Sequence, residues 1–224
     1  MTTRTRPPVR SHPLFARFYT KVAGPALDKA GITEHRRRLL SGLTGEVIEI
    51  GAGNGLNFPH YPPEVTRVLA VEPEPRLRAL AEQAAVTAPV PVEVTDGVAE
   101  QLPVEDASFD AAVVCLTLCS VADAHAALTE THRVLRAGGQ LRFFEHVRAD
   151  SPAMRRVQRA LDATVWPLLM GGCHTGRDTR SAIAAAGFTI TSMEKFAFPE
   201  TRLPSPAATH ILGTAERRHP EGTR

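Results

Sequence analysis

The stretch Val47-Ile48-Glu49-Ile50-Gly51-Ala52-Gly53-Asn54-Gly55 constrains this chain more than any other. Val47, Ile48 and Ile50 are apolar and of the kind that fills a sheet core. Gly51, Gly53 and Gly55 follow at once, at alternate positions. Such a run permits a tight strand-to-helix turn and lets backbone N–H groups approach a ligand with no Cβ in the way. The pattern is E-x-G-x-G-x-G. It is not the phosphate loop G-x-x-x-x-G-K-S/T, and it is not G-x-G-x-x-G, because Leu56 follows Gly55.

Glu49 adds a charge argument. A carboxylate beside the turn repels a pyrophosphate but suits the ammonium group of an amino acid, which favours S-adenosylmethionine (SAM) over NAD. By spacing alone, an ordinary glycine-rich turn remains open. A second apolar strand, Val65 to Val71, ends in Glu72 and Pro73. An acid about 20 residues beyond the glycine turn stands where it accepts hydrogen bonds from both ribose hydroxyls. Its plain alternative is a solvated acid opening the next helix.

Further segments carry a family resemblance. They are Ala99-Glu100-Gln101-Leu102-Pro103, Ser108 to Val114, and His132 to Gly139. In order and spacing they resemble the post-strand segments of class I SAM-dependent methyltransferases, over roughly residues 33 to 215. The run Gly55-Leu56-Asn57-Phe58-Pro59-His60-Tyr61-Pro62-Pro63 resembles the N-F-x-x-Y-P-P signature of the branch containing the mammalian alkyl thiol methyltransferases. So do Leu118-Cys119-Ser120-Val121, Glu145-His146-Val147 and Gly171-Gly172-Cys173-His174. The mammalian members carry an N-terminal membrane anchor, which this chain is expected to lack.

The resemblance implies an α/β fold: a Rossmann-like seven-stranded sheet with strand seven antiparallel and helices on both faces. It implies one methyltransferase domain over 1–224. Residues 1–45 form an arm and lid helices, 46–150 the SAM-binding core, 151–182 the substrate-pocket helices and 183–215 a C-terminal strand hairpin. The adenine segment is Gly97, Val98 and Ala99. Many relatives have an acidic acceptor for the adenine amino group here; in this chain that position is apolar, leaving Asp96 or the backbone to read the base. Cys115 and Leu116 are expected along the cofactor, with packing the plain alternative for Cys115. Asn57 is either a donor to the cofactor or a helix cap.

Composition excludes several function classes. At 224 residues, with 43% apolar and 22% charged, the chain is globular and long enough for a substantial core. A net charge of +2 makes no case for nucleic acid. Cys115, Cys119 and Cys173 are an odd number without zinc-like spacing, so no metal is expected and the chain reads as reduced and cytoplasmic. The first ten residues lack a signal-peptide core and are expected to form a loose arm. The longest apolar run, Ala111 to Ala122, falls short of the roughly 20 residues a membrane span needs. A monomer or weak homodimer is expected.

The element pattern is read as follows. Pro13 to Ala23 is a helix, interrupted by Gly24-Pro25. Thr33 caps a helix to Leu40, with Arg36, Arg37 and Arg38 on its solvated face. Residues 122–136 form a helix stopped by Gly138-Gly139, before a strand from Gln140 to Val147. Residues 152–170 show one apolar stripe (Met154, Val157, Leu161, Val165, Leu168), with Trp166, Leu168, Leu169 and Met170 as a pocket wall. Thr201 to Pro206 is a proline-rich connection.

For methyl transfer, candidate catalytic residues are His146, His174 and Cys119. A thiol acceptor is only a few per cent thiolate at neutral pH, so a nearby imidazole would raise the rate. Each histidine has a plain alternative, a backbone hydrogen bond or a turn. The reading is a SAM-dependent methyltransferase of a small apolar acceptor, with a thiol first. Open alternatives are an O-, N- or C-methyltransferase for a natural product, quinone or lipid headgroup, an NAD-linked dehydrogenase, and a non-catalytic SAM-binding protein.

Overall fold

Seven strands pair in the order β3-β2-β1-β4-β5-β7-β6. They are β1 (Gly45–Ile50), β2 (Val65–Val71), β3 (Val92–Thr95), β4 (Phe109–Cys115), β5 (Leu135–His146), β6 (Phe188–Ala197) and β7 (Thr209–Arg217). The computed structural model describes residues 12–199 and 205–218. The expected N-terminal arm, most of the 201–206 connection and the end of the tail lie outside them. β7 runs antiparallel to both β5 and β6, and the β1–β2, β1–β4, β2–β3 and β4–β5 pairs are parallel. Strand order reverses between β1 and β4, so the crevice beyond their carboxyl ends is where this architecture binds ligands.

Alternation along β1 divides the core in two. Ile48 and Ile50 face a cluster that includes Leu118, Leu128 and Ile183. Val47 faces the opposite cluster, with Leu39, Leu40, Phe58 and Tyr61. Glu49 shares the face of Val47, because side chains two apart point the same way.

Helices cover both faces. α3 (Ile32–Leu40) and α4 (Pro75–Ala85) pack on one, α5 (Ala124–Val134) and α8 (Thr179–Ala185) on the other. At the N-terminus, α1 (Pro13–Phe18) runs through a π-helical segment, Tyr19–Ala23, directly into α2 (Gly24–Lys29). Gly24-Pro25 therefore starts a helix rather than breaking one. Pro25 sits in the first turn of α2, where a missing N–H removes least. α3 starts from Gly31 at φ +95°, a left-handed position. Thr33 does not cap it.

Two boundaries also differ from the sequence expectation. α5 ends at Val134 and β5 begins at Leu135, so Gly138-Gly139 lies inside the strand as an irregularity. Val134 and Leu135 are fully buried, and Leu135 pairs with Phe109. Core packing thus captures the segment for the sheet before the glycines can act. Residues 152–170 form two helices, α6 (Pro152–Asp162) and α7 (Trp166–Leu169). Val157, Val165, Leu168 and Leu169 are exposed, and the buried residue of α6 is Gln158. Its amide accepts from Ala149 N and donates to the carbonyls of Thr175 and Pro206. A polar tie, not an apolar stripe, docks this helix.

Candidate active site

At the carboxyl ends of β1 and β2 stand two buried carboxylates. Glu49 accepts from Asn57 Nδ2 at 2.8 Å and from Tyr61 Oη at 2.7 Å. Arg36 Nη1 donates to Asn57 Oδ1 at 2.7 Å and lies 3.3 Å from Cys115 Sγ. Glu72 Oε2 accepts from Gly53 N at 2.7 Å, and its other oxygen from Glu74 N at 2.9 Å. Burial pushes both carboxyls up to about 7, against the hydrogen bonds that lower them. Burial likewise pushes the Cys115 thiol up to about 11.

The three glycines have different duties. A Cβ on Gly51 would lie 2.4 Å from Thr117 Cγ2, and one on Gly55 would lie 2.8 Å from Ala84 Cβ and from the Phe58 ring. Those two glycines permit close packing. Gly53, at φ +59°, has no atom within 4 Å of its missing Cβ. Its open face forms a cradle whose N–H is already oriented by Glu72. Gly97 is again a packing glycine, since a Cβ there would stand 2.7 Å from Val71 Cγ1. Val98 and Ala99 are buried. Asp96 pairs with Arg78 at 3.0 Å, and the same Arg78 nitrogen holds the carbonyls of Glu72 and Pro73.

At the ends of β4 and β5 the chemistry changes. Leu116 adopts φ +57°, a costly conformation for a side chain branched beyond Cβ. The turn it creates aims the N–H groups of Thr117, Leu118 and Cys119 at the fully buried Glu145 carboxylate, at 2.8, 2.9 and 3.3 Å. Burial raises the Glu145 carboxyl despite these three donors. The neighbouring His146 presents Nε2 to Cys173 Sγ at 3.0 Å, while its Nδ1 is buried without a hydrogen-bond partner. The pairing with Cys173 raises His146 even though burial opposes the charged form. Cys119 Sγ lies within 4.8 Å of both the His146 ring nitrogen and Cys173 Sγ.

The segment carrying Cys173 and His174 is fastened to the β4 loop. His174 N donates to Cys119 O at 2.8 Å, and Arg177 donates to the carbonyls of Leu118 and Val121 at 2.7 and 2.6 Å. His174 Nδ1 itself lies 2.8 Å from Gly172 O. Over this turn lies the N-terminal helix: a Cβ on Gly171 would stand 2.5 Å from the Phe15 ring.

Residues 48–143 match the methyltransferase domain family. The chain is 34% identical over 184 residues to thiol S-methyltransferase TMT1B of Rattus norvegicus, spanning 79% of this chain and 73% of that protein. Identity to the Homo sapiens TMT1B is 33% over 182 residues, with the same coverage. The chain belongs to the SAM-dependent methyltransferases, in the family of the thiol S-methyltransferases. Solved structures agree on the fold. A SAM-dependent methyltransferase from Thermotoga maritima superposes with a TM-score of 0.67 at 22% identity, covering 92% of this chain and 99% of that one. A geranyl diphosphate methyltransferase in complex with SAM gives 0.65 at 13% identity, covering 91% and 90%.

In this methyltransferase the residues singled out from sequence fall into two groups. Glu49, Gly51, Gly53, Gly55, Asn57, Glu72 and Pro73 gather at β1 and β2, and Cys119, His146 and His174 gather at β4 and β5. Cys115 and Leu116 lie between them, and Gly97, Val98 and Ala99 follow β3. Three members of the site escaped the sequence reading. Arg36 is buried rather than solvated. Its signal was present, since Ile32, Arg36, Leu39 and Leu40 share one helical face. Tyr61, which the sequence shows only as part of a signature, is buried with its hydroxyl on Glu49. Glu145 was noted only as part of a signature; an acid inside the apolar run Phe143-Phe144-Glu145 was the available sign.

Proposed function

We propose that this methyltransferase moves the methyl group of SAM to the sulfur of a small, apolar thiol. The observation that carries the reading is His146, buried beside two thiols at the end of β5, with one ring nitrogen on Cys173 Sγ and the other unpartnered. With Nε2–H donating to Cys173, Nδ1 offers its lone pair to an acceptor thiol. The curated relatives, 33–34% identical, are named as thiol S-methyltransferases.

SAM supplies an electrophilic methyl group on a sulfonium, and the residues present fit it. The Gly53 cradle is open, and two carboxylates flank it for a cation. Glu49, held by Asn57 and Tyr61, faces the ammonium end. Glu72 takes the ribose hydroxyls on the lone pairs that Gly53 and Glu74 leave free. Gly51 and Gly55 set the turn, and Pro73 fixes the chain after Glu72. Gly97, Val98 and Ala99 border the adenine, with Cys115 and Leu116 along the opposite wall. Cys119 and His174 border the acceptor. Phe15 over Gly171 makes the N-terminal helix a lid across it.

Alignment of the acceptor supplies most of the rate, and a dry pocket favours a step in which a thiolate and a cation cancel their charges. Three free cysteines suit a reducing compartment, which we take to be the cytoplasm, with the protein working as a monomer or weak homodimer. Among the described residues no helix is long and apolar enough to cross a membrane.

The test is incubation with SAM and a panel of thiols, phenols and amines, followed by product S-adenosylhomocysteine. Turnover is expected with apolar thiols. Turnover confined to phenols or amines removes the thiol assignment, and turnover with no acceptor removes the enzyme reading.

A further inference from the structure

We propose that Cys119, His146 and Cys173 form a site for a soft divalent metal ion, with Zn²⁺ as its natural probe. No chain spacing announces this site, since the two cysteines are far apart in sequence and His146 lies between them. The fold brings their donor atoms together: Cys119 Sγ, a ring nitrogen of His146 and Cys173 Sγ all lie within 4.8 Å of one another, and His146 Nε2 stands 3.0 Å from Cys173 Sγ. A tetrahedral zinc ion holds nitrogen and sulfur donors about 3.6 Å apart and two sulfurs about 3.8 Å apart, from bond lengths of about 2.0–2.3 Å. Small rotations of the side chains reach that geometry.

The arrangement is built by backbone, not by chance contact of long side chains. Glu145 anchors the N–H groups of Leu118 and Cys119. His174 N and Arg177 bind the carbonyls of Cys119, Leu118 and Val121 from the other segment. At Gly172, φ +88°, a Cβ would lie 2.9 Å from Ser120 O, so the glycine lets the two segments meet. His146 comes from β5, next to the Glu145 that anchors the first loop.

The donor set matches the ion. Two thiolates and one imidazole are soft ligands that select zinc over magnesium or calcium. Their two negative charges neutralise the dication inside a buried site. Binding releases two protons, one from each thiol, so affinity falls as pH drops. Each sulfur also has a polar neighbour suited to a thiolate. Trp166 Nε1 donates to Cys173 Sγ at 3.3 Å, and Ser120 Oγ lies 3.4 Å from Cys119 Sγ. Three protein ligands leave a fourth position for water or an exogenous sulfur. Coordination through Nε2 puts the ring proton on Nδ1, so metal loading and the proton-accepting role of His146 exclude each other.

The experiment uses the full chain, reduced and stripped with a chelator, then titrated with Co²⁺ and back-titrated with Zn²⁺. One equivalent of cobalt is expected, with a sulfur-to-cobalt charge-transfer band and the intense visible bands of tetrahedral coordination, both bleached by zinc. Cys119→Ser and Cys173→Ser should each lose more affinity than the roughly 10–100-fold that removal of an outer-shell partner costs. Cys115→Ser should keep the spectrum. Independently of any variant, zinc should slow alkylation of Cys119 and Cys173 in the native chain, read by peptide mass spectrometry. No cobalt signal, or a signal that survives both serine variants, overturns the proposal. Thiol methylation by the chelated protein is measured alongside. Methylation without a cobalt signal removes the metal site alone, and a cobalt signal without methylation removes the thiol reading alone.

Discussion

The ends of β1 and β2 carry two buried carboxylates, whereas the loop after β4, the end of β5 and the turn after α7 bring together two thiols and an imidazole, with the β4 loop held on a third carboxylate. The first pair is assembled from nearby residues. Glu49 is bound by Asn57 and Tyr61, eight and twelve positions away, and Glu72 by Gly53 and Glu74. The second cluster joins three segments through bonds such as Thr117 N to Glu145 and Arg177 to Leu118, 28 and 59 positions apart. The chemistry divides in the same way. Negative charge suits a cationic cofactor, and soft neutral groups suit a sulfur acceptor. One end is thus a local motif that holds a charge, and the other a tertiary assembly that, in the function proposed above, selects the acceptor.

The largest expected effect strikes the first end. On the proposed placement of SAM, Glu72→Ala removes the acceptor for two ribose hydroxyls and should weaken SAM binding by about 100-fold or more, at roughly 1.5–3 kcal/mol for each hydrogen bond to a charged group. Calorimetric titration measures it, with circular dichroism to show the fold retained. Unchanged affinity would erase the contrast between the two ends.

At the other end, His146→Gln should lower kcat for a thiol by about 100-fold near neutral pH, in the range for loss of a general base. The loss should shrink as pH rises and the thiol ionises unaided, while SAM affinity at each pH stays equal to that of the unsubstituted protein. A pH–rate profile on both proteins decides it. A loss that does not change with pH would make His146 a packing residue.

Gly53→Ala and Gly51→Ala sharpen the distinction inside the first end. Alanine at 53 projects into open space at φ +59° and should cost about 1 kcal/mol of backbone strain while weakening SAM several-fold. Alanine at 51 meets Thr117 and should lower the melting temperature more than the change at 53. Equal effects on stability would show that the cradle is not free.

The smallest effect is with pH. Glu49 and Glu72 titrate at about 7 in the folded protein, above the about 4.3 of an unfolded glutamate. The folded state therefore holds these protons more tightly. The stability they contribute to the ligand-free protein is present below about pH 4 and is lost as pH rises through about 7. SAM affinity runs oppositely, gaining as the carboxylates ionise between about pH 6 and 8. Melting scans with and without SAM across this window should diverge with rising pH, and parallel curves would contradict the contact of these two carboxylates with bound SAM.

The degree to which the sequence foretold each part follows the same division. The limits of β2 agree with its apolar run, because its carboxyl half is buried on both faces and Glu64 and Glu72 bound it. The start of β5 disagrees, because pairing of Leu135 with Phe109 overrides a pair of glycines that reads as a helix stop. Arg36 reads as one of three surface arginines until the helix is docked. Gln158 then shows the converse, a polar residue taking the buried position on a helix whose apolar side chains stay exposed.

By itself the sequence determined that a strand ends in a carboxylate and a glycine turn, that a second acid follows on the next strand, and that the whole is an open α/β sheet. Those features rest on local periodicity and on conformations that few residues other than glycine adopt. Only the tertiary structure decided that Cys119, His146 and Cys173 share one buried spot, that Arg36 faces inward and that Glu145 holds the β4 loop. Such contacts depend on how separate elements dock, and docking is set by shape and by the pairing of buried polar groups, neither of which leaves a periodic mark along the chain.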